Sequence, residues 1–171
     1  LAHGIKIIIT TLKSRQQLLI KLRSLWILIE GLIITDLYKF SNENGSVFHG
    51  MRKTDPGYNG FEEIYFSYIK LDSLKAWKMH KKMTLNLVVP VGDVRFNFIE
   101  VDNKRNINER YEITIGSSNY SRITVPPGII FGFKGLSDSI NIVTNISNLI
   151  HDDNECENMD QKSFEFKWLK Q

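Results

Sequence analysis

Short runs in which apolar and polar residues alternate dominate the sequence from Gly31 onwards, and turn residues separate them. Alternation with a period of two is typical of strands that bury one face. These runs recur at spacings of roughly 8–12 residues with almost no helical periodicity between them, which predicts a β-sandwich or barrel. We therefore predict an all-β domain over residues 31–171. Its clearest strand-like runs are 32–37, 63–70, 79–91, 94–101, 111–115, 122–125 and 140–146.

The first 30 residues follow a different pattern. Apolar residues recur there at spacings of three and four, namely Leu18, Leu19, Leu22, Leu25, Trp26 and Ile29. This pattern predicts an N-terminal extension, 1–30, whose amphipathic helix packs on the domain or on a partner subunit. The alternatives are a helix on a membrane surface, or strands over 6–11 and 26–34.

Composition narrows the class of protein. The chain has 171 residues, 42 % of them apolar, and a net charge of +3, which suits one compact domain. Acidic and basic residues are interspersed, so we expect no nucleic-acid partner. Lys21, Arg23 and Glu30 interrupt the apolar N-terminal stretch, so it does not predict a membrane-spanning helix. No small-residue cleavage site follows it, so it does not predict a signal peptide either. We expect a cytoplasmic protein with no membrane partner, and the single cysteine excludes an internal disulfide framework.

One candidate for chemistry is the segment 78–87, in which polar and apolar residues alternate. If it is a strand, one face carries Lys78, His80, Lys82, Thr84 and Asn86. Such a row fits either a solvent-exposed surface or the inside of a ligand-holding barrel. Inside a barrel, the His80 imidazole can remove an acidic proton beside a carbonyl group. A neighbouring ammonium group can stabilise the enolate oxygen that forms.

The run 94–98 offers a second candidate. Arg95 and Asn97 share one of its faces, and apolar residues occupy the other. A guanidinium group suits a pyrophosphate because its planar fork donates two parallel hydrogen bonds. The alternative is that Arg95 is an ordinary surface charge.

The segment 123–138 reads ITVPPGIIFGFKGLSD. It resembles the I-P-x-G-x-x-H-G-F strand end and L-S-D block of the dTDP-4-dehydrorhamnose 3,5-epimerase family. Residues 31–45, 75–80 and 88–94 resemble that family's opening segment, its R-G-x-H strand and its V-V-x-G-x-V turn. The resemblance covers roughly residues 31–168. It implies a cupin fold, which is a double-stranded β-helix or jelly-roll barrel.

The resemblance also implies a reaction, namely inversion of carbons 3 and 5 of a dTDP-4-keto-6-deoxyhexose. It implies no cofactor and no metal, and here Lys78 stands where a cupin metal site often has its first histidine. His80 would be the base, Lys82 would steady the enolate, and Asp160 would orient the histidine. The family further implies a homodimer that exchanges N-terminal strands, and a role in dTDP-rhamnose and polysaccharide biosynthesis.

Several family positions are changed in this chain. Thr144 stands where the family has its proton-donating tyrosine, Phe131 replaces a histidine, Asn44 replaces a binding arginine, and Trp77 replaces the arginine before His80. Tyr65, Tyr68 or water would then have to supply the proton. Our candidates for binding the substrate are Asn44, Lys78, Asn86, Arg95, Phe131 and Thr144.

Three interpretations follow. The first is a divergent sugar-nucleotide epimerase. The second is a dTDP-4-keto-6-deoxyhexose 3,4-ketoisomerase, because residues 76–81 also resemble the G-F-H-x-H-K strand of those enzymes. The third is a non-catalytic cupin that binds a sugar nucleotide or a partner protein, which the missing tyrosine favours.

Overall fold

The structure, a computed structural model, describes residues 29–165. The helix expected in residues 1–30 lies almost entirely outside this range. Twelve strands are described: β1 (Ile33–Asp36), β2 (Lys39–Asn42), β3 (Gly45–Phe48), β4 (Glu63–Ile69), β5 (Leu74–His80), β6 (Leu85–Val91), β7 (Asp93–Val101), β8 (Ile107–Gly116), β9 (Ser121–Val125), β10 (Ile130–Gly135), β11 (Asn141–Ser147) and β12 (Cys156–Asn158). One short 3-10 turn, Gln161–Ser163, follows them. Between residues 29 and 165 no helix has the length and hydropathy to span a bilayer.

Two five-stranded antiparallel sheets form the body of the domain. The first sheet has the order β1-β9-β6-β11-β4, and the second has the order β12-β5-β10-β7-β8. Strands β2 and β3 form a separate hairpin whose residues are all exposed. Most neighbours within a sheet are distant in sequence, as in a jelly roll. The prediction of an all-β jelly-roll domain is therefore confirmed.

The hydrophobic core lies between the two sheets, where every second residue of a strand points inwards. In β6 these residues are Leu85, Leu87 and Val89, and in β7 they are Val94, Phe96 and Phe98. All six are at most 2 % exposed. Burying a side chain of this size stabilises the fold by about 1.5–3 kcal/mol. Strand β7 is therefore held firmly as one wall of the interior.

The predicted strand 79–91 is two strands. β5 ends at His80 in the second sheet, and β6 begins at Leu85 in the first. The four residues between them turn the corner from one sheet to the other. Side chains satisfy the backbone N–H groups of the last three, since Glu155 accepts from Lys82 and Met83, and Asn148 accepts from Thr84. The polar row predicted from Lys78 to Asn86 is therefore broken after His80.

The loop 49–60 covers part of the outer face of the first sheet. Arg122 of β9 is completely buried beneath it and donates to Asp55 at 2.9 Å and to the carbonyl oxygens of Gly50 and Pro56. Burial raises the pKa of Asp55, but hydrogen bonds from Arg52 and Arg122 outweigh it and leave that pKa below its ordinary value. This ion pair and the two carbonyl contacts fix the loop on the sheet.

Candidate active site

A cavity of about 250 Å³ opens between the two sheets where polar residues interrupt the core. The first sheet contributes Tyr65, Ser67, Leu85, Leu87 and Asn145 to its walls. The second sheet contributes Lys75, Lys78, Phe131 and Phe133. The cavity thus has an apolar floor and convergent polar groups, which is the usual make-up of a small-molecule site.

An irregularity in β5 brings two lysines to this cavity. Lys75 and Lys78 are three residues apart and would face opposite sides of a regular strand. The pairing of β5 with β10 shifts between Phe131, which lies opposite Lys78, and Phe133, which lies opposite Lys75. Both lysines therefore share the inner face with the two phenylalanines.

His80 lies two residues beyond Lys78, at the end of β5. Its ring is 3 % exposed and stacks on Phe131 with centroids 6.3 Å apart. Its Nδ1 atom lies 2.5 Å from Oε2 of Glu155, whose Oε1 accepts the N–H groups of Lys82 and Met83. Since Glu155 accepts at Nδ1, the imidazole proton lies there and Nε2 is free to act as a base. Nε2 is buried and has no hydrogen-bond partner among the described residues.

The pKa values of this pair suit a general base. Burial lowers the pKa of His80 and the nearby Lys78 ammonium lowers it further, which outweighs the opposite effect of Glu155. Burial raises the pKa of Glu155, but hydrogen bonds from His80 and two backbone N–H groups leave it below its ordinary value. At neutral pH the pair is therefore a neutral imidazole held by a carboxylate.

Tyr65 of β4 lies in the opposite wall of the cavity. Its Oη atom accepts a 2.6 Å hydrogen bond from Nδ2 of Asn145, the residue paired with it on β11. Burial raises the pKa of Tyr65 despite this hydrogen bond, and the negative charges of Glu63 and Glu155 contribute in the same direction. The phenol therefore keeps its proton at neutral pH and can donate it into the cavity.

Three of the residues predicted from the sequence come together at this site. Lys78 and Phe131 line the cavity, and His80 stacks on Phe131 beside it. Between residues 29 and 165, no three side chains of the types that bind metals form a cluster.

The structure does not bring the side chains of the predicted partners, Lys82 and Asp160, to the His80 ring. Lys82 lies in the corner after β5, is exposed, and contacts Glu155 only through its backbone N–H. Asp160 caps the 3-10 turn by accepting from the backbone of Lys162. The carboxylate at His80 is Glu155, which reaches it because β12 pairs with β5 and places Cys156 opposite His80.

Thr144 and Asn86 point away from the cavity. Thr144 pairs with Phe66, which is 57 % exposed, so both lie on the outer face of the first sheet. Asn86 lies on the same face, where it accepts from Thr124 and donates to the carbonyl of Gly57. In the described structure these two residues support the sheet and the loop 49–60 rather than the cavity.

Arg95 and Asn44 also lie away from the cavity. Arg95 is on the outer face of the second sheet, because Val94 and Phe96 on either side of it point into the core. Its Nε atom lies 3.8 Å from Glu112. Asn44 is in the exposed turn between β2 and β3, where its N–H donates to Asn42.

The sequence analysis missed Glu155 and Asn145, which contact the proposed base and proton donor, and Lys75 in the cavity wall. Glu155 lies 75 positions after His80, and nothing local distinguishes it from its acidic neighbours. Asn145 is one residue beyond the predicted Thr144, and the alternation in β11 leaves either residue as the inward one. Tyr65 was among three candidate proton donors, and Tyr68, another of them, is 64 % exposed.

Comparisons with known proteins give a consistent result. No protein-family model matches the sequence, and no curated protein is significantly similar to it. A solved dTDP sugar isomerase from Desulfovibrio desulfuricans G20 is 31 % identical, with a TM-score of 0.74 over 79 % of this chain and 87 % of that one.

Two more distant structures share the fold. A dTDP-4-dehydrorhamnose 3,5-epimerase from Sulfolobus tokodaii is 14 % identical, with a TM-score of 0.70 over 81 % of this chain and 82 % of that one. A sugar 3,4-ketoisomerase from Thermoanaerobacterium thermosaccharolyticum, solved with TDP, is 11 % identical, with a TM-score of 0.63 over 76 % and 89 %.

Proposed function

The chain belongs to the dTDP-4-dehydrorhamnose 3,5-epimerase family of cupin-fold sugar-nucleotide isomerases, and we propose that it inverts a carbon beside the ketone of a dTDP-linked 4-keto-6-deoxy sugar. The 31 % identical dTDP sugar isomerase supports this class of substrate. The chain's own residues support proton transfer next to a carbonyl group as the reaction.

The observation that carries the proposal is that a base beside the cavity and a proton donor in its wall come from the two facing sheets. His80 comes from β5 of the second sheet, and Tyr65 comes from β4 of the first. A sugar ring held between the sheets would meet a base on one face and a proton donor on the other. This arrangement suits the inversion of a carbon, because the proton leaves from one face and returns to the other.

In the proposed reaction, Nε2 of His80 takes the proton from the carbon next to the ketone. The electron pair of that C–H bond moves to the carbonyl oxygen and gives an enolate. Tyr65 then donates its phenolic proton to the opposite face of the carbon, and the carbonyl double bond forms again. Afterwards the imidazolium loses its proton to water and the phenolate regains one.

Lys78 is our proposed stabiliser of the enolate oxygen. It lines the cavity, and its charge lowers the pKa of His80, so it lies within electrostatic reach of the base. A fixed ammonium group beside the developing negative charge lowers the barrier without reorganisation. This role replaces the one predicted for Lys82.

The size of the cavity bears on how the substrate binds. Its volume of about 250 Å³ lies below the roughly 300–1,000 Å³ that encloses a drug-sized ligand. We propose that the sugar lies inside the cavity and the nucleotide lies across its mouth.

The family resemblance supports a homodimer that acts in dTDP-rhamnose or polysaccharide biosynthesis. Light scattering of the purified protein tests the dimer, and a particle of only 19.8 kDa would contradict it.

The second candidate function is 3,4-ketoisomerisation. The same enolate would form after His80 takes the proton of carbon 3. If the proton of the carbon-3 hydroxyl group then passes to the carbon-4 oxygen and a proton is delivered to carbon 4, the carbon-3 oxygen becomes the new carbonyl oxygen and the ketone has moved. Residues 76–81 resemble the ketoisomerase strand at His80 and Lys81, with Lys78 in place of its first histidine, and this resemblance favours the candidate. Product analysis separates the two reactions.

The test is solvent exchange. The protein is incubated with dTDP-4-keto-6-deoxyglucose in deuterated water, and the sugar is followed by proton NMR beside a His80→Gln control. We expect the signal at carbon 3 or carbon 5 to disappear and an inverted product to form, with neither event in the control. A product with its ketone at carbon 3 would establish the ketoisomerase. Binding without exchange for several keto sugars would refute both functions and support a non-catalytic role.

A further inference from the structure

Asn145 occupies a central position in the cavity wall. It lies on β11, between Leu87 of β6 and Tyr65 of β4, and is 2 % exposed. Its Nδ2 atom donates to the phenolic oxygen of Tyr65. Its Oδ1 atom is buried and has no hydrogen-bond partner in the described part of the chain. The core of a protein rarely leaves such an acceptor unpaired, so a bound group is the natural partner.

The direction of the hydrogen bond decides where the tyrosine proton points. Because Asn145 donates to Oη, the phenolic hydroxyl group does not donate its own hydrogen to Asn145. That hydrogen is then free to point into the cavity. The charged and titratable groups that act on Tyr65 are Glu63, two residues before it on β4, Glu155, which precedes β12, and Cys156, the first residue of β12. Glu155 is already held by His80 and two backbone N–H groups.

We propose that Asn145 is a positioning and recognition residue of the site. Its side-chain N–H donates to the Tyr65 oxygen, so that the phenolic proton faces the sugar. Its Oδ1 accepts a hydrogen bond from a sugar hydroxyl group next to the reacting carbon. This inference rests on the proposed function. The inference predicts that the substrate is a sugar with a free hydroxyl group on the carbon next to the reacting carbon. A substrate without it would leave Oδ1 unpaired and bind more weakly.

Two substitutions separate the parts of this role. Asn145→Leu keeps the approximate shape and removes both the donor and the acceptor. Asn145→Asp keeps an acceptor for the sugar hydroxyl, but its carboxylate accepts the phenolic proton and turns it away from the substrate. Thr144→Ala is the matched control, because its side chain lies on the outer face of the same strand.

The measurement is the ratio of inversion to deuterium exchange in the assay described above. Exchange needs His80 alone, since the imidazole can return a deuteron to the same face, whereas inversion also needs Tyr65. We expect both Asn145 variants, like Tyr65→Phe, to lose inversion by on the order of 10²-fold while exchange persists. KM should rise for Asn145→Leu and stay near the wild-type value for Asn145→Asp.

Several outcomes would overturn the proposal. Equal losses of exchange and inversion in both variants would mean that Asn145 only maintains the structure, and unchanged inversion would mean that it has no role. An equal rise in KM for the two variants would show that Oδ1 of Asn145 does not accept a hydrogen bond from a sugar hydroxyl group. At saturating substrate, a double variant, Tyr65→Phe with Asn145→Leu, should invert no more slowly than Tyr65→Phe alone, and a slower double variant would contradict the positioning role. Failure of the proposed function is distinguishable, because the wild-type protein itself would then exchange nothing.

Discussion

The acid–base behaviour of His80 depends on few charges around its ring. Burial and the Lys78 ammonium both lower its pKa, so the acid limb of the pH–rate profile should lie below 6.5, its ordinary value. We expect Lys78→Met to move this limb to higher pH, because a nearby positive charge no longer opposes protonation. The exchange rate should also fall by roughly 10²-fold if the ammonium stabilises the enolate.

The measurement is the exchange rate between about pH 4.5 and 8 for the wild-type protein and the variant. Lys81→Met is the matched control. Lys81 lies in the corner after β5, and its ammonium group donates to the carbonyl oxygen of Asn154. Its acid limb should coincide with that of the wild type. A limb that moves to lower pH in Lys78→Met would contradict the electrostatic assignment.

The carboxylate at His80 gives a second test at the same scale. Glu155 uses both oxygens as acceptors, one for Nδ1 of His80 and one for two backbone N–H groups. In Glu155→Gln one carboxylate oxygen becomes an NH₂ donor. If the NH₂ faces the two backbone N–H groups, donors meet donors, and if it faces Nδ1 of His80, it stabilises the tautomer with its proton on Nε2. We expect Glu155→Gln to lower the exchange rate by about 10²- to 10⁴-fold, the range that covers loss of a histidine-orienting carboxylate and of general-base catalysis.

Asp160→Asn provides the comparison, because asparagine caps a helical turn as well as aspartate does. Its exchange rate and thermal midpoint should match those of the wild-type protein. The sequence favoured Asp160 as the partner of His80, so the two variants decide directly between that prediction and the geometry. A larger loss in Asp160→Asn than in Glu155→Gln would favour the earlier prediction.

At the scale of elements, the loop 49–60 depends on close contact with the first sheet. Gly57 has φ +80°, and a Cβ atom there would lie 2.2 Å from Oγ1 of Thr124, which is itself bonded to Asn86. Gly128 has φ +83° with open space around the same atom. Both alanine variants bear the backbone strain of about 1–2 kcal/mol, but only Gly57→Ala adds overpacking of about 1–3 kcal/mol.

We therefore expect Gly57→Ala to lower the free energy of unfolding by about 3 kcal/mol and Gly128→Ala by about 1 kcal/mol. Urea denaturation of both variants measures the difference. Equal losses would show that the loop does not press on Thr124. Gly57→Ala should leave exchange activity in the folded fraction intact, because the loop covers the outer face and the cavity lies on the inner one.

The same scale shows what the sequence could predict. Alternation identified most strands and the inward face of β7, because burial of one face imposes a period of two. In β4 it would mislead, since the apolar residues Ile64, Phe66 and Tyr68 lie on the exposed face. It could not reveal the corner at residues 81–84, where Met83 continues the apolar pattern and the polar contacts that shape the turn come from Asn148 and Glu155. It also could not show that Asn145, rather than the predicted Thr144, is the inward residue of β11, since that choice depends on pairing with β4.

At the scale of the whole molecule, groups with shifted pKa values limit stability on both sides of neutral pH. His80 has a lowered pKa, so below its ordinary value of 6.5 the unfolded chain binds a proton that the folded chain refuses. Glu155 and Asp55 also have lowered pKa values and add to this loss below 4.5 and 3.8. Burial raises the pKa values of Cys156, Tyr65 and Tyr120.

On the alkaline side the sign is reversed, because the unfolded chain releases protons near 9.0 for Cys156 and 10.0 for the tyrosines, while the folded chain retains them. The free energy of unfolding should therefore be greatest between about pH 6.5 and 9 and fall on either side. Urea titrations from pH 4 to 10 measure it. In His80→Gln the free energy of unfolding should depend less on pH near pH 6 and be unchanged in its pH dependence near pH 9. In Cys156→Ser the reverse should hold, so each variant is the control for the other. A free energy that rises as the pH drops from 7 to 5 would show that His80 is charged in the folded protein, which would also remove it as the base.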